Sequence, residues 1–198
     1  MESDDSRTID IKNFRPPKGS AGRIVGIVVL VVVALLLWTT VYTVDPEEQG
    51  VVLRFGQFVR TTNPGLNFKL PSPLEVVYKV PVQRQLKEEF GFRTQQPGVR
   101  TTYSPDDFAG ESLMLTGDLN VAVVEWTTQY RVNRPELYLF EVRNPRQTFR
   151  DMNEAVMRSV VGDRSVNEVL TVGRLEVATE VGVRLQEMCD QYENGIKV

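Results

Sequence analysis

Between Arg23 and Asp45 the chain carries 21 residues without a charge, "IVGIVVLVVVALLLWTTVYTV". At about 1.5 Å per residue a helix of this length covers about 31 Å, close to the hydrocarbon thickness of a bilayer. A transmembrane helix is therefore predicted over residues 24–44, with Trp38 and Tyr42 toward one boundary, where amphipathic rings are favoured. The run is longer than a signal-peptide core and no A-x-A-like site follows Leu37, so an uncleaved anchor is expected.

From residue 45 the pattern turns to short β-rich runs. "QGVVLRF", "FVRTT", "LNFKLP" and "EVVYKVPVQRQ" are separated by Gly56-Gln57, Asn63-Pro64-Gly65 and prolines 71 and 73, all turn or boundary signals. Phe55, Phe58, Leu66 and Phe68 are expected to fill the buried face of these strands; insertion into lipid headgroups is the alternative. Residues 91–112 are polar and aperiodic, and predict a long excursion between two strands.

The clearest period-two stretch follows, "LNVAVVEWTTQYRV". Ala122, Val124, Trp126, Thr128, Tyr130 and Val132 share one face; Glu125, Thr127, Gln129 and Arg131 share the other. A long half-buried strand is predicted, joined to "SLMLT" by a tight turn at Gly117-Asp118.

At Asn144 the period becomes that of a helix. Pro145 suits its first turn, Phe149, Met152, Val156 and Val160 line one face, and Gly162 is expected to end it. Ser165 and Glu168 form a capping box for a short helix through Leu170. Another helix begins near Arg174 and carries Leu175, Val177, Ala178, Val181, Leu185, Met188 and Cys189. Asn194-Gly195 stops it, and "IKV" starts a strand whose partner lies in another chain or beyond this one. Strands first and helices second define an α+β domain, a mixed or antiparallel sheet covered by helices.

Charge changes the picture only around the apolar run. Lys12, Arg15, Lys18 and Arg23 precede it; Asp45, Glu47 and Glu48 follow it. The positive-inside rule then predicts a cytoplasmic tail, residues 1–23, and an extracytoplasmic domain, residues 45–198. A net charge of −3 gives no nucleic-acid footprint.

Candidate chemistry is sparse. The chain has no histidine, so histidine-dependent triads and zinc sites are excluded. Its single cysteine, Cys189, lies on an apolar stripe and is expected to be a buried thiol. Ser112, Ser159 and Ser165 have no spacing to Lys69, Lys79 or Lys87 that marks a dyad. Asp106-Asp107 and Glu47-Glu48 read as solvated pairs, and no phosphate-loop spacing occurs. No catalytic, cofactor-binding or metal-ligating residue is assigned, and no cofactor is expected.

The segments "EEQGVVLRFGQFVRTTNPGLNFKLP", "LTGDLNVAVVEWTTQYRVNRPELYLF" and "FRDMNEAVMRSVVGDRSVNEVLTVGR" resemble the SPFH (band 7, prohibitin/stomatin-like) family over residues 41–198. The resemblance implies a non-enzymatic membrane scaffold in the bacterial inner membrane. It implies assembly with a sister SPFH protein (HflC-like) into a hetero-oligomer that regulates an AAA+ protease (FtsH-like). It also implies that the strand begun at Gly195 continues into a helical region beyond Val198, and the 91–112 stretch is longer than the family's minimal pattern. A stomatin-like organiser of lipid domains is the alternative, and a membrane peptidase a weaker one.

Overall fold

The computed structural model describes residues 21–96, 102–104, 108–171 and 173–198. These form an α+β domain of antiparallel sheets and helices, the predicted class, preceded by an apolar helix. The predicted tail lies outside the described residues as far as Ser20.

Helix α1 (Ala21–Trp38) is shorter than the predicted span. The Thr39 and Thr40 hydroxyls donate back to the Leu36 carbonyl at 2.9 and 3.0 Å, and the chain then becomes extended. The run Thr39–Val44 is rich in β-branched residues, which favour extended backbone once a hydroxyl has capped the helix end. Val41–Val44 form strand β1 rather than the last turn of a helix. Among the described residues no helix is long and apolar enough to cross a membrane.

Strand β2 (Glu48–Arg54) lies between β3 (Gln57–Thr62) and β5 (Glu75–Pro81), and β1 pairs with β4 (Gly65–Phe68). Being central, β2 buries Val51, Val52 and Leu53 in succession. The β1–β4 ribbon lies across this sheet: the Tyr42 hydroxyl donates to Thr62 Oγ1 at 3.0 Å. Gly50 permits that approach, since a Cβ there would lie 3.3 Å from Val44 and closer still to Thr62.

Strand β6 (Leu86–Phe90), which the sequence pattern passed over, pairs with the long strand predicted at 119–132. That strand is divided. β10 (Val121–Val123) pairs with β9 (Leu113–Leu115), whereas β11 (Trp126–Val132) pairs with β6 and with β12 (Ile196–Lys197). The alternation of faces survives the break: Ala122, Tyr130 and Val132 are buried, and Glu125, Thr127, Gln129 and Arg131 are exposed. The "IKV" strand thus finds a partner, β11, within this chain. The 91–112 excursion holds a short hairpin, β7 (Thr94–Gln96) with β8 (Thr102–Tyr103), and one turn of helix, α2 (Ala109–Ser112).

Helix α3 (Pro135–Phe140) is a further element absent from the sequence reading. Pro135 at its start was the available signal. It covers the first sheet, in a small core of Val51, Leu53, Val80 and Val132 with Tyr138 and Leu139. The larger core lies under α4 (Pro145–Gly162) and α6 (Arg174–Gln191); the predicted face of α4 holds, whereas on α6 Leu175 and Ala178 are exposed and Val177, Val181, Leu185 and Cys189 face inward. Phe149, Met152, Val156 and Val160 pack with Val177, Val181, Leu185 and Cys189 against Tyr130 and Ile196. Leu86 and Tyr138 touch both cores, and so join the two halves.

The predicted capping box is present at α5 (Val166–Leu170): Glu168 N–H donates to Ser165 Oγ, and Ser165 N–H donates to the Glu168 carboxylate at 2.8 Å. Gly195 sits at φ 71°, and its carbonyl accepts from Asn133 N–H at 2.8 Å, which delivers the chain to β12.

Candidate membrane-facing site

The four apolar residues expected in the core near the apolar run are not buried. Phe55 is 77% exposed, Phe58 48%, Leu66 64% and Phe68 63%. The cause is tertiary. β1 and β4 form a two-stranded ribbon whose inner face, Tyr42 and Val44, meets the sheet, leaving Val41 and Thr43 opposite Phe68 and Leu66 on the outer face. Phe55 stands at the tip of the β2–β3 hairpin, in a two-residue turn where it (φ 50°) and Gly56 (φ 84°) are both left-handed.

These parts are tied together by one buried carboxylate. Glu75, 1% exposed, accepts from Arg54 Nη2 at 2.8 Å, from both terminal nitrogens of Arg60 at 3.4 Å, and from Leu70 N–H at 2.9 Å. Arg60 also donates to the Phe68 carbonyl at 2.9 Å. The Leu70 N–H bond, helped by Arg54 and Arg60 and opposed by burial, holds the Glu75 carboxyl below the usual carboxylate range. Strands β2, β3 and β5 and the 69–74 loop are thereby clamped at one corner. Lys69 N–H donates to the Thr40 carbonyl at 2.8 Å, which sets that corner beside the end of α1. Leu70 and Leu74 add to its exposed apolar surface, and Trp38, 85% exposed, stands just before it in the chain. No sequence pattern pointed to the Glu75 clamp; a lone glutamate opening an apolar strand was its only trace.

The second polar cluster is a cleft of about 540 Å³ lined by Lys87, Glu88, Glu89, Arg93, Arg146 and Arg150. Its charges are mutually paired. Glu88 accepts from Arg146 at 2.5 Å and Arg150 at 2.9 Å, Glu89 from Lys87 at 2.7 Å, and Glu111 from Arg93 and Arg150 at 2.6 and 2.9 Å. Arg150 also lies over the Phe90 ring, 4.5 Å from its centroid. Burial pushes the Glu111 carboxyl up, but Arg93, Gly91 N–H and Arg150 outweigh it and leave it lowered. The cluster joins β6, α4 and the 91–112 excursion as a structural clamp.

The serines considered as nucleophiles have structural roles. Ser112 is buried with its hydroxyl toward the Phe108 carbonyl, Ser159 accepts from Arg184 at 3.3 Å, and Ser165 caps α5. Asp106 and Asp107 lie outside the described residues. Glu47 and Glu48 open the first sheet: the Glu47 carbonyl accepts from Val82 and Gln83, and Glu48 starts β2. Cys189 is buried, and burial pushes its thiol pKa up. Among the described residues no group of three or more His, Cys, Asp or Glu side chains is placed to hold a metal ion.

A ribbon crossing a small clamped sheet is thus joined to a second sheet covered by helices. Residues 42–198 match the model of the SPFH domain / Band 7 family, and the chain belongs to that family. It is 43% identical over 152 residues to "Protein HflK" of Treponema pallidum, covering 76% of this chain and 45% of that protein. It is 34% identical over 182 residues to "Modulator of FtsH protease HflK" of Escherichia coli K12, covering 92% of this chain and 38% of the relative. With "Protein HflK" of Borreliella burgdorferi the identity is 30%, over 87% of this chain and 54% of the relative. The chain thus spans about half the length, or less, of the curated relatives it matches.

Proposed function

We propose that this chain is a membrane-anchored, non-enzymatic scaffold that assembles with a sister SPFH protein (HflC-like) and regulates an FtsH-like AAA+ protease. The observation that carries the membrane part is the clamped corner of exposed Phe55, Phe58, Leu66 and Phe68 beside the end of α1. A contiguous exposed apolar surface of this kind marks an interaction or membrane site. The protease part rests on the name of the Escherichia coli relative, "Modulator of FtsH protease HflK".

The corner also answers why strands begin directly after the apolar helix. From Ile24 to Trp38 the helix rises about 22 Å, about 8 Å less than a typical hydrocarbon core. In the proposed arrangement the bilayer thins locally and the outer face of the β1–β4 ribbon enters the headgroup region to cover the remainder. The domain then stands on the membrane in a fixed orientation. The basic residues before α1 and the acidic ones after it favour an inner-membrane protein with its N-terminus cytoplasmic and residues 45–198 extracytoplasmic.

A tagged pull-down from membranes in mild detergent, read by mass spectrometry, tests the reading. Recovery of an FtsH-like protease together with a second SPFH protein supports it. Recovery of the chain alone overturns it in favour of a stomatin-like lipid organiser, which the same exposed corner also suits.

A further inference from the structure

The polar 91–112 excursion holds three aromatic residues, Phe92, Tyr103 and Phe108, and the fold brings all three to one cavity. That cavity, of about 400 Å³, is lined by them together with Gly91, Ser104 and Glu125. Rings packed as a small core bury one another, yet Tyr103 is 57% exposed and Phe92 and Phe108 are only partly buried. Phe92 and Tyr103 meet edge to face, with centroids 5.7 Å apart and planes at 83°, so they form two walls of a corner. The Phe108 ring already accepts one cation, the Arg93 guanidinium, whose Cζ lies 4.6 Å from the ring centroid. Arg93 lines the neighbouring polar cleft rather than this cavity, and Glu111 matches its charge at 2.6 Å.

The cavity also carries a charge. Glu125 stands in the break between β10 and β11, where the chain leaves one ladder for the other. The acids of the adjoining cluster, Glu88, Glu89 and Glu111, are each paired with a cation, whereas Glu125 makes no ion pair among the described residues. Gly91 gives it room. At φ 81°, a Cβ on Gly91 would stand 3.0 Å from Glu125 Cγ and 2.8 Å from Ser112 Cβ. Any larger residue there displaces the carboxylate arm that borders the cavity.

We infer that this cavity is a binding site for a small quaternary ammonium cation of the choline type. Electron-rich ring faces and an unpaired carboxylate both attract positive charge. The lining also selects among cations. A primary ammonium carries three N–H donors and seeks an acceptor for each, whereas a quaternary ammonium carries none and lays its methyl groups against rings. Three rings and one carboxylate suit the second. Glu125 repels an anion, and a neutral ligand gains nothing from it. The site is built on β6, β11 and the excursion, apart from the corner at Phe55, Phe58, Leu66 and Phe68, and it stands independently of the scaffold reading.

Isothermal titration calorimetry of the full chain, in a maltoside detergent that carries no ammonium group, tests the site. The probes are choline chloride and its neutral carbon isostere, in which a tert-butyl group replaces the trimethylammonium. The two share a shape and differ in charge, and choline should bind at least tenfold more tightly. Tyr103→Leu should weaken choline binding at least fivefold and Glu125→Gln at least threefold. Both positions are exposed, so neither variant should move the melting temperature. Phosphocholine separates the sources of the cation: binding within threefold of choline upholds the site for a lipid headgroup, and rejection upholds it for a free cation. Absence of choline binding, equal binding of choline and its isostere, or choline binding unchanged by Tyr103→Leu overturns the site.

Discussion

Replacing Trp126 tests the join between the second sheet and α4. Its ring stacks on Phe90 with centroids 4.5 Å apart and planes 4° from parallel, and its Nε1–H donates to Asn153 Oδ1 at 3.0 Å. Trp126→Ala removes three contributions. Loss of a half-buried indole costs about 2 kcal/mol, below the 3–5 of a fully buried tryptophan. Loss of the stack adds about 1 kcal/mol. Loss of the hydrogen bond adds little, because Thr128 Oγ1 still donates to Asn153 Oδ1 at 3.1 Å. The total is about 3 kcal/mol. Trp126→Asp exceeds it, since it sets a carboxylate against the Phe90 ring and the apolar core under α4. Glu125→Lys, one residue away on the exposed face, changes stability by less than about 0.5 kcal/mol. Urea unfolding followed by far-UV circular dichroism is the assay, because Trp126 variants remove one of the two tryptophans that fluorescence would report. A cost below about 1 kcal/mol for Trp126→Ala, or above about 1 kcal/mol for Glu125→Lys, refutes the face assignment.

Other perturbations probe the remaining parts. The Glu75 carboxyl is lowered in the folded state, so its stabilisation is complete above the unfolded carboxyl pKa of about 4.3 and is lost as pH falls through the lower folded value. Glu75→Gln should flatten that acid limb in melting curves taken from pH 6 to 3; an unchanged limb removes the clamp from the account. Gly195→Ala places a Cβ against the Arg134 carbonyl at φ 71° and should cost about 2–4 kcal/mol by thermal melting. Ser165→Ala deletes the α5 cap and should cost about 1 kcal/mol, seen as a lower urea midpoint. Cys189 should react with a maleimide only in denaturant, and rapid labelling of the folded chain contradicts its burial.

Local chemistry determined much of this protein before any packing is considered. The Ser165–Glu168 box, the apolar faces of α4 and α6 and the alternation through Tyr130 depend on residues near one another in the chain, so periodicity and capping reveal them. The turns at Gly56 and at Asn63-Pro64-Gly65 likewise follow from local residues. What distant partners decide was not legible. Thr39–Val44 continue the uncharged run of the helix before them, and Val41–Val44 settle as strand where β4 offers them a ladder. Phe55, Phe58, Leu66 and Phe68 have core composition. Which face a ribbon turns to the sheet depends on the Tyr42–Thr62 contact and the Glu75 clamp, made by residues about twenty positions apart. The long strand breaks between Val123 and Trp126 because its two halves answer to different partners, β9 and β6. Sequence determines which residues seek burial, but the pairing of distant strands decides which of them obtain it. Phe55, Phe58, Leu66 and Phe68 are left exposed for that reason.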